Sequence, residues 1–175
     1  PGICTNSALL TAVRAANPDA CVVYKPHPDV LAGMRADGVA RPGAGNNCDA
    51  MVGDVPMARL LEEVDEVHTL TSLAGFEALL RGKRVVVYGQ PFYAGWGLTA
   101  DFLPPPRRSR RLTLDELVAG TLILYPCYVS RTTGQFTTPE RVLVELGEWR
   151  NTARQPRPWL RPLLRFGYWL LGRKA

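Results

Sequence analysis

A chain of 175 residues, 46% hydrophobic and 21% charged, is long enough to close a core and has the composition of a globular protein rather than a disordered or fibrous one. No stretch approaches the roughly 18 unbroken apolar residues that a membrane span needs. The formal charge of +5 is uneven: seven basic residues from Arg150 onward, with no acidic residue among them, leave residues 1–149 at about −2, so the basic balance belongs to the tail and makes no case for nucleic-acid binding.

Taken in chain order, Ser7–Ala16 is rich in Ala and Leu and stops at Asn17-Pro18-Asp19, which predicts a helix and a turn. Cys21–Tyr24 is a short β-prone apolar run that opens into Lys25-Pro26-His27-Pro28, where the prolines impose an extended loop. A Gly- and Asn-rich loop follows at Arg41–Asn47, then a short strand at Asp49–Val52 and a helix at Pro56–Val64 with proline in its first turn. Glu66–Leu70 reads as a strand. Thr71-Ser72 caps a helix over Leu73–Arg81, which Gly82 ends, and Arg84–Tyr88 is the next strand. Strands alternating with helices at this spacing predict parallel βαβ units, so residues 1–103 are expected to be a Rossmann-like domain. Pro104-Pro105-Pro106 and four nearby arginines mark a linker into a helical extension, residues 104–150. Its helices are expected at Thr113–Leu124, behind a capping box, and at Thr138–Arg150.

The cysteines, Cys4, Cys21, Cys48 and Cys127, are scattered without a Cys-x-x-Cys pair, the pattern of reduced thiols in a cytoplasmic protein. With only His27 and His68 beside them, no metal site is expected. The start at Pro1-Gly2-Ile3 has neither Met nor a signal pattern, and the chain is expected to be part of a longer one.

Open α/β sheets bind ligands beyond the C-terminal ends of their strands, and three motifs fall there. Lys25 and His27, held by Pro26 and Pro28, would set positive charge and ring N–H donors beside an anionic ligand; a rigid surface turn accounts for them as well. Thr71-Ser72-x-x-Gly75-x-Glu77 joins two hydroxyls and free helix-start amides to a glycine and a carboxylate that suits ribose hydroxyls, although ordinary capping explains Thr71 and Ser72. Tyr88–Asp101 is unusually aromatic and glycine-rich, and Gln90, Phe92, Tyr93 and Trp96 are its candidate sugar- or acceptor-facing residues, although an ordered loop packing its own rings accounts for Phe92 as well. The order of the three favours a nucleotide-sugar site: a cation loop, a phosphate-binding helix start with a ribose carboxylate, then an aromatic cover.

On NPDACVVYKPHPDVLAG (17–33), VDEVHTLTSLAGFEALLRGKRVVVYGQPFYAGWGLTADF (64–102) and RRLTLDELVAGTLILYPCYV (110–129), the chain resembles the capsule polysaccharide biosynthesis family, specifically the KpsC/LipA-type β-Kdo transferases. The resemblance implies an α/β fold: the Rossmann-like, nucleotide-binding half of a GT-B-type glycosyltransferase with C-terminal helices. It implies a CMP-Kdo donor with no separate cofactor, a lipid-linked Kdo acceptor, and anomeric retention in building the Kdo linker of a capsule. It further implies capsule assembly proteins as partners and a cytoplasmic place, peripheral on the inner membrane. His27 and Pro28 match the family's His-Pro pair at the CMP phosphate; Ser72, Gly75 and Glu77 match its second nucleotide motif. The family's Gln-x-x-x-Asp, associated with the catalytic carboxylate, is absent, so no catalytic residue is assigned and this part alone is expected to be inactive. Asp54 and Asp101 are carboxylates that nothing beyond their type recommends. An epimerase of the same two-halved fold and a non-catalytic, membrane-associated scaffold are the alternatives.

Residues 151–175 form a basic tail. On a helical wheel Trp159, Leu163, Phe166 and Leu170 oppose Arg161 and Arg165, which predicts either a helix lying on an anionic membrane surface or one docking on the domain.

Overall fold

The computed structural model describes residues 2–27 and 47–152. Pro28, most of the glycine-rich loop, and the tail expected to be an amphipathic helix lie outside the described residues. The chain divides into two compact units, residues 1–119 and 120–175.

The first unit starts with α1 (Asn6–Ala16), whose first turn is closed by Thr5: its hydroxyl accepts the Ala8 amide at 3.2 Å. β1 (Val23–Tyr24) runs parallel to β2 (Ala50–Met51), with Val23 opposite Ala50. Asp49 joins these strands to α1, because one carboxylate oxygen accepts the Val22 amide at 2.7 Å and pairs with Arg14. Those bonds, the Val22 amide first, hold the Asp49 pKa below the usual carboxylate value. α2 (Met57–Glu63) then leads to β3 (Glu66–Thr69), α3 (Leu73–Leu79), β4 (Arg84–Val87) and β5 (Ala100–Asp101). The sheet order is β3-β4-β5 and every pairing is parallel: Glu66 lies opposite Arg84, and Val86 opposite Ala100.

β4 shows why this sequence makes a central strand. A parallel strand covered on both faces reads as an unbroken apolar run, and Val85-Val86-Val87-Tyr88 supplies one after the exposed Arg84. Val85 and Val87 face a core of Leu61, Phe76, Leu79, Tyr93 and Leu117, whereas Val86 and Tyr88 face a second core of Leu10, Val13, Val22 and Tyr24. α3 ends as its sequence predicts, with the Gly82 amide donating to the Leu79 carbonyl and the Lys83 amide to that of Ala78, both at 3.0 Å.

Two organisational expectations differ from what is seen. The division comes after Ala119, not near residue 103, because Leu117 and Val118 of α4 (Leu114–Val118) pack into the first unit's core. The helix expected over 113–124 is α-helical only to Val118. The capping box is present, with Thr113 and Glu116 bonding reciprocally, and a wider π-helical turn continues over Ala119–Leu124. In the second unit β6 (Tyr128–Val129) and β7 (Phe136–Thr137) form an antiparallel pair beside α5 (Pro139–Thr152). The buried Glu145 of α5 accepts from the Ser130 hydroxyl at 2.8 Å, the Arg131 amide at 2.8 Å and Arg141 Nε at 3.0 Å, which satisfies a carboxylate that burial alone would penalise.

A polar row crosses β3 and β4. Arg84 pairs with Glu66 at 3.0 Å, Glu66 meets His68 Nε2 at 3.2 Å, and His68 Nδ1 lies 3.1 Å from the Tyr88 hydroxyl. Burial depresses the His68 pKa; the Glu66 carboxylate opposes that shift and Arg84 adds to it. The unfolded chain therefore takes up this proton first, and the stability that neutral His68 contributes is complete above about pH 6.5 and lost as pH falls towards the depressed folded value. Urea unfolding of wild type is expected to show falling stability from about pH 6.5 to 5, with a flatter profile for His68→Gln. Parallel profiles would refute the assignment.

Candidate functional site

The apolar cluster that holds Tyr24, Met51, Leu70 and Tyr88 gathers the residues that end β1 and β2 and those that follow β3 and β4. The segments leaving these ends are Lys25–His27, Thr71-Ser72 and the loop from Gly89, so the described parts of the three motifs emerge around one cluster.

Ser72 is the most constrained of these residues. Its amide donates to Thr69 Oγ1 at 3.2 Å, its hydroxyl accepts the Ala74 amide at 3.2 Å, and its carbonyl accepts the Tyr93 hydroxyl at 2.5 Å. Tyr93 fills the space beneath Gly75. A β-carbon at Gly75 would lie 2.7 Å from Tyr93 Cζ and closer still to the hydroxyl, so the tyrosine seats itself only because position 75 has no side chain. Thr71 and Ser72 are exposed at the helix start and Glu77 is half-buried on the next turn. Gly89 makes the second close approach: its amide donates to the Leu70 carbonyl at 3.2 Å, and a β-carbon there would lie 2.6 Å from that oxygen and 2.9 Å from the Thr71 methyl.

Lys25 is half-buried and donates to the carbonyls of Gly53 at 3.0 Å and Val55 at 2.6 Å. It ties the end of β1 to the segment after β2, an arrangement that its charge alone could not reveal. His27 is exposed.

The loop expected to cover a sugar is built from within. Tyr93 is 0% exposed, and burial pushes its hydroxyl pKa far up. It therefore has no ring face open to a ligand and serves as a prop under α3. Phe92 is 40% exposed, with its ring centroid 5.0 Å from Phe76 and 5.2 Å from Tyr93. Trp96 donates to the Phe92 carbonyl at 2.8 Å and lies under the Arg108 guanidinium, 5.4 Å from its ring. Asp101 accepts the Gly95 amide at 2.9 Å and the Thr99 hydroxyl at 2.7 Å, so this carboxylate fastens the loop. Arg108, which sequence reasoning left in the linker, donates to the carbonyls of Pro91 at 2.6 Å and Ala94 at 2.8 Å. Gln90 is exposed at the loop's start, with its amide nitrogen 3.3 Å from the Leu103 carbonyl. Of the four candidate loop residues, Gln90, Phe92 and Trp96 are thus the ones with surface to offer.

Comparison with known proteins gives this arrangement its relatives. The pattern of the family described as capsule polysaccharide biosynthesis protein matches residues 4–136. The capsule polysaccharide modification protein LipA of Neisseria meningitidis serogroup A (serotype 4A, strain DSM 15465 / Z2491) is 53% identical over 140 residues, covering 80% of this chain and 20% of LipA. The lipopolysaccharide-processing protein LpsZ of Rhizobium meliloti is 45% identical over 147 residues, covering 84% of this chain and 33% of LpsZ. Among solved structures, Thermosulfurimonas dismutans KpsC, β Kdo 2,7 transferase, matches with a TM-score of 0.71 at 46% identity, covering 83% of this chain and 46% of that one. The KpsC β Kdo 2,4 transferase of the same organism has a TM-score of 0.71 at 36% identity, covering 80% of this chain and 44% of that one. The chain therefore spans a fifth to a third of the length of these curated relatives and under half of each solved neighbour.

Proposed function

Because the chain belongs to the capsule polysaccharide biosynthesis family and is of the KpsC/LipA type, we propose that it is the donor-nucleotide half of a retaining β-Kdo glycosyltransferase of GT-B architecture, binding CMP-Kdo for transfer to a lipid-linked Kdo acceptor. One observation carries the reading. The Ser72 helix start is fixed through its amide, hydroxyl and carbonyl, at the C-terminal end of a parallel strand and a turn before Glu77. Prefixed hydroxyls and amides lower the ordering cost of holding a phosphate. Glu77 accepts the two ribose hydroxyls, and the exposed His27, first residue of the His27-Pro28 pair, approaches the phosphate from the β1 end. Phe92, Trp96 and Gln90 offer the surface on which the sugar lies, propped by Tyr93. Lys25 acts at one remove, by setting the loop around Gly53. No separate cofactor is required.

No residue of this chain is assigned the catalytic carboxylate. Both oxygens of Asp101 accept bonds that fasten its loop, and retention needs a nucleophile or an equivalent stabiliser at the anomeric carbon. The acceptor, the partner half and contact with an anionic membrane or the capsule assembly proteins belong to the whole enzyme.

Titration calorimetry of the 175-residue chain is expected to show CMP binding, with Glu77→Gln weakening it about tenfold, the scale of a charge-assisted hydrogen bond lost from a half-buried site. A flat CMP titration beside clear binding of a uridine nucleotide would overturn the CMP-Kdo reading.

A further inference from the structure

Beyond the nucleotide segment, a recess of about 490 Å³ is lined by Gln90, Pro105, Pro106, Arg107 and Arg108. Its position is set by Gly89, which lies against the Leu70 carbonyl and the Thr71 methyl, so Gln90 starts one residue from the candidate phosphate-binding turn. Its walls are stiff. Adjacent prolines fix one side, and Arg108 is anchored to the Pro91 and Ala94 carbonyls and to the face of Trp96. Its electrostatics are one-sided: residues 102–114 carry Arg107, Arg108, Arg110 and Arg111 and no carboxylate. Arg107 is exposed at the recess and makes no hydrogen bond or ion pair among the described residues, whereas Arg110 reaches Glu116 at 3.8 Å. A guanidinium with no partner among the described residues, beside an oriented amide and a rigid wall, is suited to a planar anion, which it grips with two parallel N–H donors.

We infer that this recess, with Arg107 as its anion-binding residue and Gln90 as its hydrogen-bonding partner, holds the carboxylate of a sugar acid. The inference rests on the proposed function for the ligand's class: Kdo is a sugar acid, and the named activity of the solved neighbours concerns it. A carboxylate held here lies at Gln90, two residues along the loop from the exposed Phe92, which offers a sugar ring a surface to rest on. A phosphate is the other anion of matching size, and the experiment separates the two.

The 175-residue chain, labelled with ¹⁵N, is titrated with free Kdo, with a neutral hexose and with inorganic phosphate, each followed at the Gln90 side-chain amide and Arg107 Nε, and separately with CMP. Kdo is expected to shift both signals at millimolar concentration. Arg107→Gln is expected to weaken Kdo binding about five- to tenfold, with Tm and CMP affinity unchanged, and Arg107→Lys to recover part of it, because a lysine keeps the charge but loses the planar fork. Kdo affinity equal in wild type and Arg107→Gln, a hexose that shifts the same signals as strongly, or phosphate that displaces Kdo at equal concentration would each overturn the inference. CMP binding that persists through such a result leaves the nucleotide reading standing. Arg107-dependent Kdo binding in a protein that ignores CMP removes the nucleotide reading and keeps the recess.

Discussion

Gly75→Ala is expected to abolish measurable CMP binding and to lower the melting temperature of the first unit by roughly 8 °C, the scale of about 2 kcal/mol of overpacking in a domain of this size. The added β-carbon meets the Tyr93 ring at 2.7 Å and its hydroxyl closer still, and Tyr93 is fully enclosed by Phe76, Leu79 and their neighbours, so the ring has nowhere to swing. Relief comes only by lifting α3 or by driving the tyrosine out. Either movement breaks the Tyr93 bond to the Ser72 carbonyl and shifts the residues proposed to hold the phosphate. Tyr93→Phe isolates that bond. It is expected to cost about 1 kcal/mol of stability and to weaken CMP binding severalfold, because Ser72 loses one of its fixing contacts while the ring still fills the space. The double variant should be less unstable than the sum of the two, since removing the hydroxyl removes the closest of the clashing atoms and leaves the ring carbons. Calorimetry and thermal melts of the four proteins test this. Additive losses would show that Gly75 and Tyr93 act independently.

How much of this was legible in the sequence depends on how far each feature relies on partners distant in the chain. β3, α3 and β4 were readable because their signals are local: an apolar run, a Ser72 cap, a glycine stop and a second apolar run. β5 was not. Ala100-Asp101 has no alternating apolar pattern, and it is a strand only because Val86 and Val87 present a free parallel edge to it. The site divides in the same way. The cap at Ser72 was legible, whereas the occupant of the space beneath Gly75 was not, since nothing in the local sequence says which of the adjacent Phe92 and Tyr93 turns inward. Lys25 and Asp101 were read as charges available to chemistry, but sequence shows charge and not partners, and both are engaged with nearby loops. Arg108 was read as linker charge for the same reason. The family resemblance supplied what local pattern could not, because GQPFYAGWGLT is a loop whose identity lies in its packing.

Gly89→Ala is expected to be the most damaging single substitution in the first unit, with a loss of about 3 kcal/mol and no measurable CMP binding. The obstacle here is main chain. The new β-carbon would stand 2.6 Å from the Leu70 carbonyl oxygen and 3.1 Å from its carbon, and these atoms belong to the stretch that turns from β3 into α3. A side chain can rotate away, but Leu70 moves only by carrying Thr71 and Ser72 with it. The Gly89 amide would also leave the Leu70 carbonyl, opening the pairing of β3 and β4 at the end where the ligand is proposed to sit. The contrast with Gly75 gives the test. Thr71→Ser removes the methyl group 2.9 Å from the new carbon; it is expected to leave Gly89→Ala unrescued, whereas Tyr93→Phe partly rescues Gly75→Ala. Restoration of stability by Thr71→Ser would place the clash on the threonine side chain and show that the two strand ends are free to part without disturbing the site.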